Sequence, residues 1–317
     1  MKDVLYIVVP CYNEEEVLPE TARRLKSKIE SLVRAGKISE KSRVMFVNDG
    51  SKDRTWEMIQ ELHRSDPVFS GVCLSRNRGH QNALLAGLMT AKEKADMVIS
   101  MDADLQDDID AVDAMVEEYY AGCHIVYGVR SSRKKDSFFK RFTAEGFYRV
   151  MNALGAETVF NHADYRLMSK EALEGLAQFK EVNLFLRGIV PMIGYRTGTV
   201  EYERGERFAG ESKYPLKKML AFAWEGITSL STRPIRWITG LGAVICAASV
   251  ITLLVFLIQT LLGIPVWAWS WVLGSVWAVG GLLLLAVGVI GEYIGKIYLE
   301  TKARPRFIIR EVLDDGE

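Results

Sequence analysis

Two carboxylates separated by one residue follow an apolar run in the first half of the chain. Asp102 and Asp104 close the stretch that begins at Met97, and Gln106 stands two positions further on. In an extended chain, residues i and i+2 point to the same side, so both carboxylates face one way. Mg²⁺ usually takes one or two carboxylates while substrate phosphates complete its coordination. The spacing therefore indicates a divalent-cation site, in which Gln106 could orient a ligand or a water molecule.

Two other interpretations apply to this acidic run. A calcium loop of the EF-hand type is excluded because Asp107 stands where that loop requires glycine, and because a strand-like run precedes the motif. A solvated acidic turn remains an alternative, since Asp107 and Asp108 would suffice to cap a helix that begins near Asp108.

Four short apolar runs, separated by charged amphipathic stretches, position these residues. The runs are Val4–Val9, Arg43–Val47, Gly71–Leu74 and Met97–Met101. Their alternation with helical patterns predicts an α/β fold with a mostly parallel central sheet flanked by helices. Ligands bind such sheets beyond the carboxyl ends of the strands, so the polar residues that directly follow each run are the candidates for a site.

Several other kinds of site are disfavoured. Neither G-x-G-x-x-G after the first run nor G-x-x-x-x-G-K-[ST] occurs, so no glycine-rich cradle for phosphates is predicted. The balance of 40 Lys and Arg against 40 Asp and Glu argues against a nucleic-acid partner bound through phosphate attraction. The histidines stand in different segments, which disfavours a nucleophilic triad and favours a structural role for each: His63, His80, His124 and His162.

Four ordered motifs resemble glycosyltransferase family 2 of GT-A fold. They are Pro10-x-Tyr12-Asn13-Glu14, Asn48-Asp49-Gly50-Ser51, Arg76-Asn77-x-Gly79-His80 and Asp102-Ala103-Asp104-Leu105-Gln106. Within that family, the chain is similar to the polyprenyl-phosphate glycosyltransferases related to dolichol-phosphate mannose synthase. The catalytic part of the resemblance covers Val4 to Tyr214, and the C-terminal part resembles a bacterial branch with two transmembrane helices.

The resemblance implies roles for the motif residues on the donor side. The nucleotide-sugar would be bound by Pro10, Tyr12, Glu14, Asn48, Asp49, Arg76, Ala103 and Asp104. Mg²⁺ or Mn²⁺ would be held on the diphosphate by Asp102, Asp104 and Gln106. Asn48 stands where many relatives have aspartate, which leaves its role open. A plain turn with a helix cap at Asp49-Gly50-Ser51 is compatible with the same residues.

The resemblance also implies an acceptor side. Asp164, in the segment Asp-Tyr-Arg-Leu, would position the acceptor or act as a base, and Arg130 would meet a phosphate. Because the second pKa of phosphate is near 6, a polyprenyl phosphate is mostly dianionic at neutral pH, which favours positioning for Asp164. Arg207, Ser212 and Lys213 would clamp the phosphate of the acceptor or of the leaving group.

The C-terminal third contains no charged side chain between Trp237 and Glu292. It divides into Ile238–Leu262 and Trp271–Ile290, each long enough to cross about 30 Å of hydrocarbon as a helix. Lys and Arg flank the pair on both outer sides, so the positive-inside rule predicts that both flanks are cytoplasmic. The sequence therefore predicts a multi-pass protein of the plasma (inner) membrane, with the catalytic domain and both termini in the cytoplasm.

These features divide the chain into predicted regions. They are a catalytic domain over 1–214, an amphipathic juxtamembrane helix over 215–236, two transmembrane helices within 237–295 and a tail over 296–317. A second amphipathic stretch, Phe138–Met151, is also predicted to lie at the bilayer surface. Glycines recur every seven residues from Gly274 to Gly295, which indicates close helix packing either within one chain or between two copies in a homo-oligomer.

The sequence thus predicts metal-dependent, inverting transfer of one sugar to undecaprenyl or another polyprenyl phosphate, for modification of a cell-envelope glycan. UDP-glucose is the predicted donor, with UDP-GlcNAc and GDP-mannose as alternatives. A non-catalytic lipid-carrier translocator or scaffold is the alternative of a different class. The absence of ionisable residues from both predicted spans disfavours translocation.

Overall fold

The computed structural model describes residues 2–130, 162–203 and 269–314, together with seven isolated residues between 238 and 262. These residues belong to two compact units. The first contains the described residues up to Glu203 and those from Arg304 onward, and the second contains the described residues from Ile238 to Ala303.

A single sheet organises the first unit. Its strands, among the described residues, are β1 Leu5–Cys11, β2 Arg43–Asn48, β3 Phe69–Leu74, β4 Met97–Ser100, β5 Ile125–Arg130, β6 His162–Ser169, β7 Thr197–Tyr202 and β8 Ile309–Leu313. They lie in the order β7-β5-β6-β4-β1-β2-β3-β8. The pairs β4-β1, β1-β2, β2-β3 and β5-β7 are parallel, while β6 is antiparallel to both of its neighbours and β8 is antiparallel to β3.

Helices cover both faces of this sheet. They are α1 Leu18–Arg34, α2 Thr55–Ser65, α3 His80–Ala91, α4 Ala111–Tyr120, α5 Lys170–Ala177 and α6 Leu186–Met192. The second unit, described by itself, contains α7 Trp269–Lys302. The predicted α/β architecture with a mainly parallel central sheet is confirmed. Each of the four predicted runs forms a strand within two residues of its expected bounds.

Burial on both faces explains the continuous apolar runs of the central strands. In β1, Leu5 and Ile7 belong to one hydrophobic core, whereas Tyr6 and Val8 belong to the other. Successive residues of a strand point to opposite faces, so a strand covered on both sides needs apolar residues at every position. The result is a rigid layer whose carboxyl edge carries the polar loops.

The predicted membrane location is corrected by the structure. Among the residues that the structure describes, no helix combines the length and the apolar composition that a bilayer crossing requires. The first predicted span, 238–262, lies mostly outside these residues, and Trp271–Ile290 belongs to α7, which continues through Glu292, Lys296 and Glu300. This finding contradicts the predicted multi-pass location in the inner membrane. The prediction considered the uncharged segment alone, whereas the helix that contains Trp271–Ile290 also carries the charged residues that follow it.

The segment predicted as a C-terminal tail contains the end of a helix and a strand. Its first residues complete α7, and Ile309–Leu313 form β8 beside β3, with Val72 opposite Val312. The chain therefore returns to the sheet near its end. The two predicted amphipathic segments, Phe138–Met151 and 215–236, lie outside the described residues, and their interfacial role stays a prediction.

Candidate active site

The carboxyl ends of β1, β2, β3 and β4 lie side by side because these neighbouring strands are parallel. Cys11 lies opposite Asn48, and Val8 lies opposite Ser100. The polar loops that follow the four strands therefore meet at one edge of the sheet, as the sequence predicts.

Two further strands bring residues to the same edge from distant parts of the sequence. Since β6 is antiparallel to β4, with Arg166 opposite Ser100, its first residues lie beside the end of β4. The Ser100 hydroxyl donates to the backbone carbonyl of Asp164. At the ends of the parallel strands β5 and β7, Arg130 lies opposite Tyr202. Asp164 and Arg130 are thus brought to the edge where Asp102 and Asp104 stand.

The loops after β1 and β3 hold the donor-side residues of the predicted site. Pro10 is the penultimate residue of β1, Tyr12 is exposed just beyond it, and the backbone N–H of Glu14 donates to Thr55 Oγ1 over 2.9 Å. Arg76 is exposed in the loop that follows β3. These positions support the predicted nucleotide site, while contact with a nucleotide stays a prediction.

Asp49 joins the loops after β2 and β3. Its buried carboxylate accepts from the backbone N–H groups of Arg78, over 2.7 Å, and Gly79, over 2.9 Å. Burial raises the pKa of Asp49, and these two hydrogen bonds oppose the shift. The approach depends on Gly50, whose φ is +64° and where a Cβ atom would lie 2.6 Å from the backbone nitrogen of Asn77. Asp49 therefore shapes the loop that precedes α3.

Asn48 makes one hydrogen bond that an ionised aspartate could not make, because its amide nitrogen is the donor. Its Nδ2 donates to Cys73 Sγ over 3.2 Å, and its Oδ1 accepts from the backbone N–H of Ser51 over 3.1 Å. The side chain is buried, so both groups need partners inside the protein. An ionised carboxylate only accepts hydrogen bonds, which gives a physical reason for the amide at this position.

A hydrogen bond from α1 holds the motif that follows β4. The buried carbonyl oxygen of Ala103 accepts from Thr21 Oγ1 over 2.9 Å, and the backbone N–H of Gln106 donates to Asp104 Oδ1 over 3.2 Å. Desolvation raises the pKa of Asp102, and the negative charges of Asp164 and Asp104 add to that shift. Crowded carboxylates of this kind favour a bound cation, since a cation stabilises their ionised forms.

The metal-ligating side chains at this motif fit a cation that is also coordinated by the substrate. No three side chains of His, Cys, Asp or Glu converge on a cation position within the described part of the chain. Asp102 and Asp104 supply two carboxylates, which is the number that Mg²⁺ commonly takes from protein when phosphates provide other ligands. The residues present therefore fit a site completed by a diphosphate better than a closed protein cage.

Asp164 lies in a group of three basic side chains. Arg187 from α6 approaches it with Nη2 at 3.0 Å and Nε at 3.3 Å, and Arg166 Nη2 donates to Oδ1 over 2.8 Å. His80, the first residue of α3, places Nε2 3.7 Å from Asp164 and 3.6 Å from Asp102. Burial alone would raise the pKa of Asp164, but His80, Arg187 and Arg166 outweigh it and hold that pKa well below its usual range. Asp164 is therefore ionised at neutral pH.

His80, one of the four histidines for which a structural role is predicted, lies between two carboxylates of the candidate site. Desolvation lowers its pKa, but Asp164 and Asp102 outweigh that effect and the pKa is raised. Because protonation is thereby favoured, His80 links the carboxylate of the cation motif to that of Asp164. His80 belongs to the third sequence motif, which follows β3 at the carboxyl edge of the sheet. This position could have identified His80 as a candidate site residue.

Arg130 belongs to a second group of polar side chains, together with Tyr202 and Asp107. The sequence predicted Asp107 only as part of a helix cap. Arg130 Nε donates to the Tyr202 hydroxyl over 3.3 Å, and that hydroxyl donates to Asp107 Oδ1 over 2.6 Å. Burial, with Asp102 adding to it, raises the pKa of Asp107 to about 6. No spacing in the sequence connects Asp107 with Tyr202. Arg207, Ser212 and Lys213 lie outside the described residues, and their roles stay predictions.

Comparison with known proteins identifies similar sequences over nearly the whole chain. The model of the Glycosyl transferase family 2 matches residues 6–176. The uncharacterized glycosyltransferase YkoT of Bacillus subtilis (strain 168) is 53% identical over 306 residues, which cover 96% of this chain and 91% of that protein. The bactoprenol glucosyl transferase of Shigella phage SfX is 40% identical over 309 residues, which cover 96% of this chain and 98% of that protein.

Among the solved structures that match the chain is a mannosyltransferase. The mannosyltransferase PcManGT from Pyrobaculum calidifontis, in complex with GDP-Man and Mn²⁺, is 17% identical, with a TM-score of 0.44. The match covers 94% of this chain and 85% of that protein.

Proposed function

The chain belongs to glycosyltransferase family 2 and is a glycosyltransferase, and from this premise we propose that it transfers a single hexose from a nucleotide-sugar to a polyprenyl phosphate. The proposed donor is UDP-glucose, and the proposed product is a polyprenyl-phosphate-glucose with inverted anomeric configuration. Relatives named bactoprenol glucosyl transferase, about 40% identical over 96% of this chain, support that acceptor and that sugar. The likeness to dolichol-phosphate mannose synthase stays a prediction within this proposal.

The observation that carries the proposal is the convergence of Asp102, Asp104 and Asp164 at one sheet edge. Asp102 and Asp104 would hold Mg²⁺ or Mn²⁺, and the cation would supply positive charge to the donor diphosphate. The exposed Tyr12 and Arg76, at the same edge, would face the nucleotide. These residues would orient the anomeric carbon of the sugar toward Asp164.

The acceptor phosphate needs no base in this mechanism. A phosphate monoester is mostly dianionic at neutral pH, and the lowered pKa of Asp164 makes that residue a poor proton acceptor. A phosphate oxygen attacks the anomeric carbon, the bond from that carbon to the diphosphate oxygen breaks, and the nucleoside diphosphate leaves. Asp164 would orient the groups around the acceptor, and Arg130 would neutralise phosphate charge.

The proposal is tested with purified protein, undecaprenyl phosphate in detergent micelles, and radiolabelled UDP-glucose, UDP-GlcNAc or GDP-mannose. We expect one donor, UDP-glucose, to label the lipid in the presence of Mg²⁺ or Mn²⁺, and a chelator to abolish the labelling. Asp104→Ala should lower the rate by about 100-fold or more, since a group that stabilises transition-state charge is lost.

The matched control is Asp108→Asn, an exposed carboxylate in the same loop, which should keep the rate of the wild type. Labelling from another donor would correct the sugar while keeping the reaction. If no donor labels the lipid, and Asp104→Ala behaves as the wild type, the proposed transfer to a polyprenyl phosphate is refuted.

A further inference from the structure

Arg187 contacts Asp164 in a way that no sequence motif indicated. Its guanidinium approaches both carboxylate oxygens, with Nε 3.3 Å from Oδ1 and Nη2 3.0 Å from Oδ2. Such a two-pronged contact restricts both the position and the rotation of a carboxylate, which a single point charge does not do. Arg187 therefore sets the orientation of Asp164 as well as its charge.

The other basic neighbours of Asp164 have different positions. Arg166 is on the same strand as Asp164, two residues away, and its side chain is only 1% exposed. Arg187 comes from α6, and its side chain is 35% exposed. Arg166 thus compensates the charge of Asp164 from within the protein, whereas Arg187 contacts Asp164 with a side chain that is partly accessible to solvent.

A hydrogen bond between helices places Arg187. The backbone N–H of Leu186, the first residue of α6, donates to Gln81 Oε1 over 2.8 Å. Gln81 follows His80 in the first turn of α3, and His80 lies between Asp102 and Asp164. The first turn of α3 therefore determines the position of His80 directly and the position of Arg187 through Leu186.

We propose that Arg187 is a positioning residue for sugar transfer, which fixes the orientation of the Asp164 carboxylate on the acceptor side of the site, and that Gln81 holds Arg187 in place through Leu186. This inference rests on the proposed function. It adds two residues, Arg187 and Gln81, to the acceptor side of the site. It also gives α6 a role in catalysis that its sequence did not indicate.

Four variants of the full chain test the inference in the lipid-labelling assay with UDP-glucose. Arg187→Gln should lower kcat by about 100-fold, because a misplacement of about 1 Å can have that effect. The KM for UDP-glucose should stay within about twofold, since the lost contact lies on the acceptor side. Arg187→Lys should recover part of kcat, and added guanidinium should raise the rate of Arg187→Ala. Gln81→Ala should lower kcat to a smaller extent without removing any charged group.

The control is Arg64→Gln, which removes an exposed guanidinium from the last turn of α2, at the opposite edge of the sheet. It should leave kcat and KM unchanged. Thermal unfolding of each variant separates loss of folding from loss of positioning. If Arg187→Gln folds like the wild type and keeps its kcat, or if guanidinium fails to raise the rate of Arg187→Ala, the inference is overturned while the proposed function stands.

A measurement that does not depend on turnover tests the role of Arg187 separately from the proposed sugar transfer. In ¹³C NMR of the aspartate carboxyl groups, with Asp164→Asn for assignment, the pKa of Asp164 should rise in Arg187→Gln. An unchanged titration would overturn the inference whether or not the wild type transfers sugar. Failure of the wild type to label lipid from every donor would instead overturn the proposed function.

Discussion

Two aspartates at the same sheet edge have opposite acid-base behaviour because their neighbours differ. Burial would raise the pKa of both, but three basic side chains around Asp164 reverse the shift. Within the described part of the chain, Asp107 has Tyr202 and the more distant Arg130, whose Nη2 lies 4.0 Å away, and its pKa is raised to about 6. Residue type alone therefore does not define the chemistry of this site; the number of nearby cations does.

The raised pKa of Asp107 predicts a pH-dependent cost of folding. Its pKa rises from 3.8 to about 6 on folding, so the folded state holds the proton more tightly, and stability falls as the pH rises between these values. Asp107→Asn removes the ionised form. We expect the variant to be more stable than the wild type at pH 8, by up to about 3 kcal/mol, with a much smaller difference at pH 4.

Urea denaturation at the two pH values measures this difference. Asp108→Asn, at the exposed neighbouring position, is the control and should show no comparable pH dependence. Equal stabilisation by Asp107→Asn at pH 4 and pH 8 would contradict the assignment of the raised pKa to Asp107.

At the scale of elements, α3 connects the core to the candidate active site. Its buried residues pack on β1 and β2, while its first turn supplies His80 and Gln81 to the site. The helix can approach the sheet because residue 87 is glycine. A Cβ atom there would lie 2.4 Å from Val8 Cγ1 and 2.6 Å from Val47 Cγ2.

Gly87→Ala is therefore expected to push α3 away from the sheet. Overpacking of this kind lowers the free energy of unfolding by about 1–3 kcal/mol, and transfer activity should fall because His80 and Gln81 move with the helix. Chemical denaturation and the labelling assay measure the two effects. If the clash with Val8 is the cause, Gly87→Ala should cost less in a Val8→Ala background than in the wild type, and additive effects would refute that explanation.

At the scale of the whole molecule, the end of the chain completes the sheet of the first unit. β8 covers the edge of β3, and the carbonyl of Ile308 accepts from the backbone N–H of Ser75 over 2.9 Å. Arg78, in the same loop, donates to the carbonyl of Pro305 over 3.4 Å. The residues after α7 thus support the loop that Asp49 holds on its other side.

Deletion of residues 304–317 should destabilise the first unit. An uncovered β3 would present unpaired backbone groups to other chains, so we expect lower thermal stability and more aggregation. The shift in melting temperature should be several degrees or more, on the order expected for the loss of a strand. Calorimetry and light scattering measure both effects, with deletion of 315–317 alone as the control. Equal melting temperatures for the two truncated proteins would show that β8 does not stabilise the sheet.

Much of the fold and part of the site could be predicted from short segments. The apolar runs that became β1 to β4, and the positions of Asp102 and Asp104 after the last of them, depend on periodicity and spacing within about ten residues. The membrane prediction was wrong because it used the composition of an uncharged segment alone, whereas α7 carries that segment together with Glu292, Lys296 and Glu300. Local patterns were therefore reliable where a local physical rule connects residues to structure.

The amino-acid sequence was sufficient for the α/β class, the polar sheet edge and the two carboxylates of the cation motif, because each depends on neighbouring residues. The surroundings of Asp164 could not be inferred in this way. They arise because β6 runs antiparallel beside β4, which brings Asp164 to Ser100, and because Gln81 holds α6 and Arg187 against the same carboxylate. These contacts join residues that are 64 and 105 positions apart in the chain. No local periodicity encodes such distances, so they are established only when the strands and helices pack together.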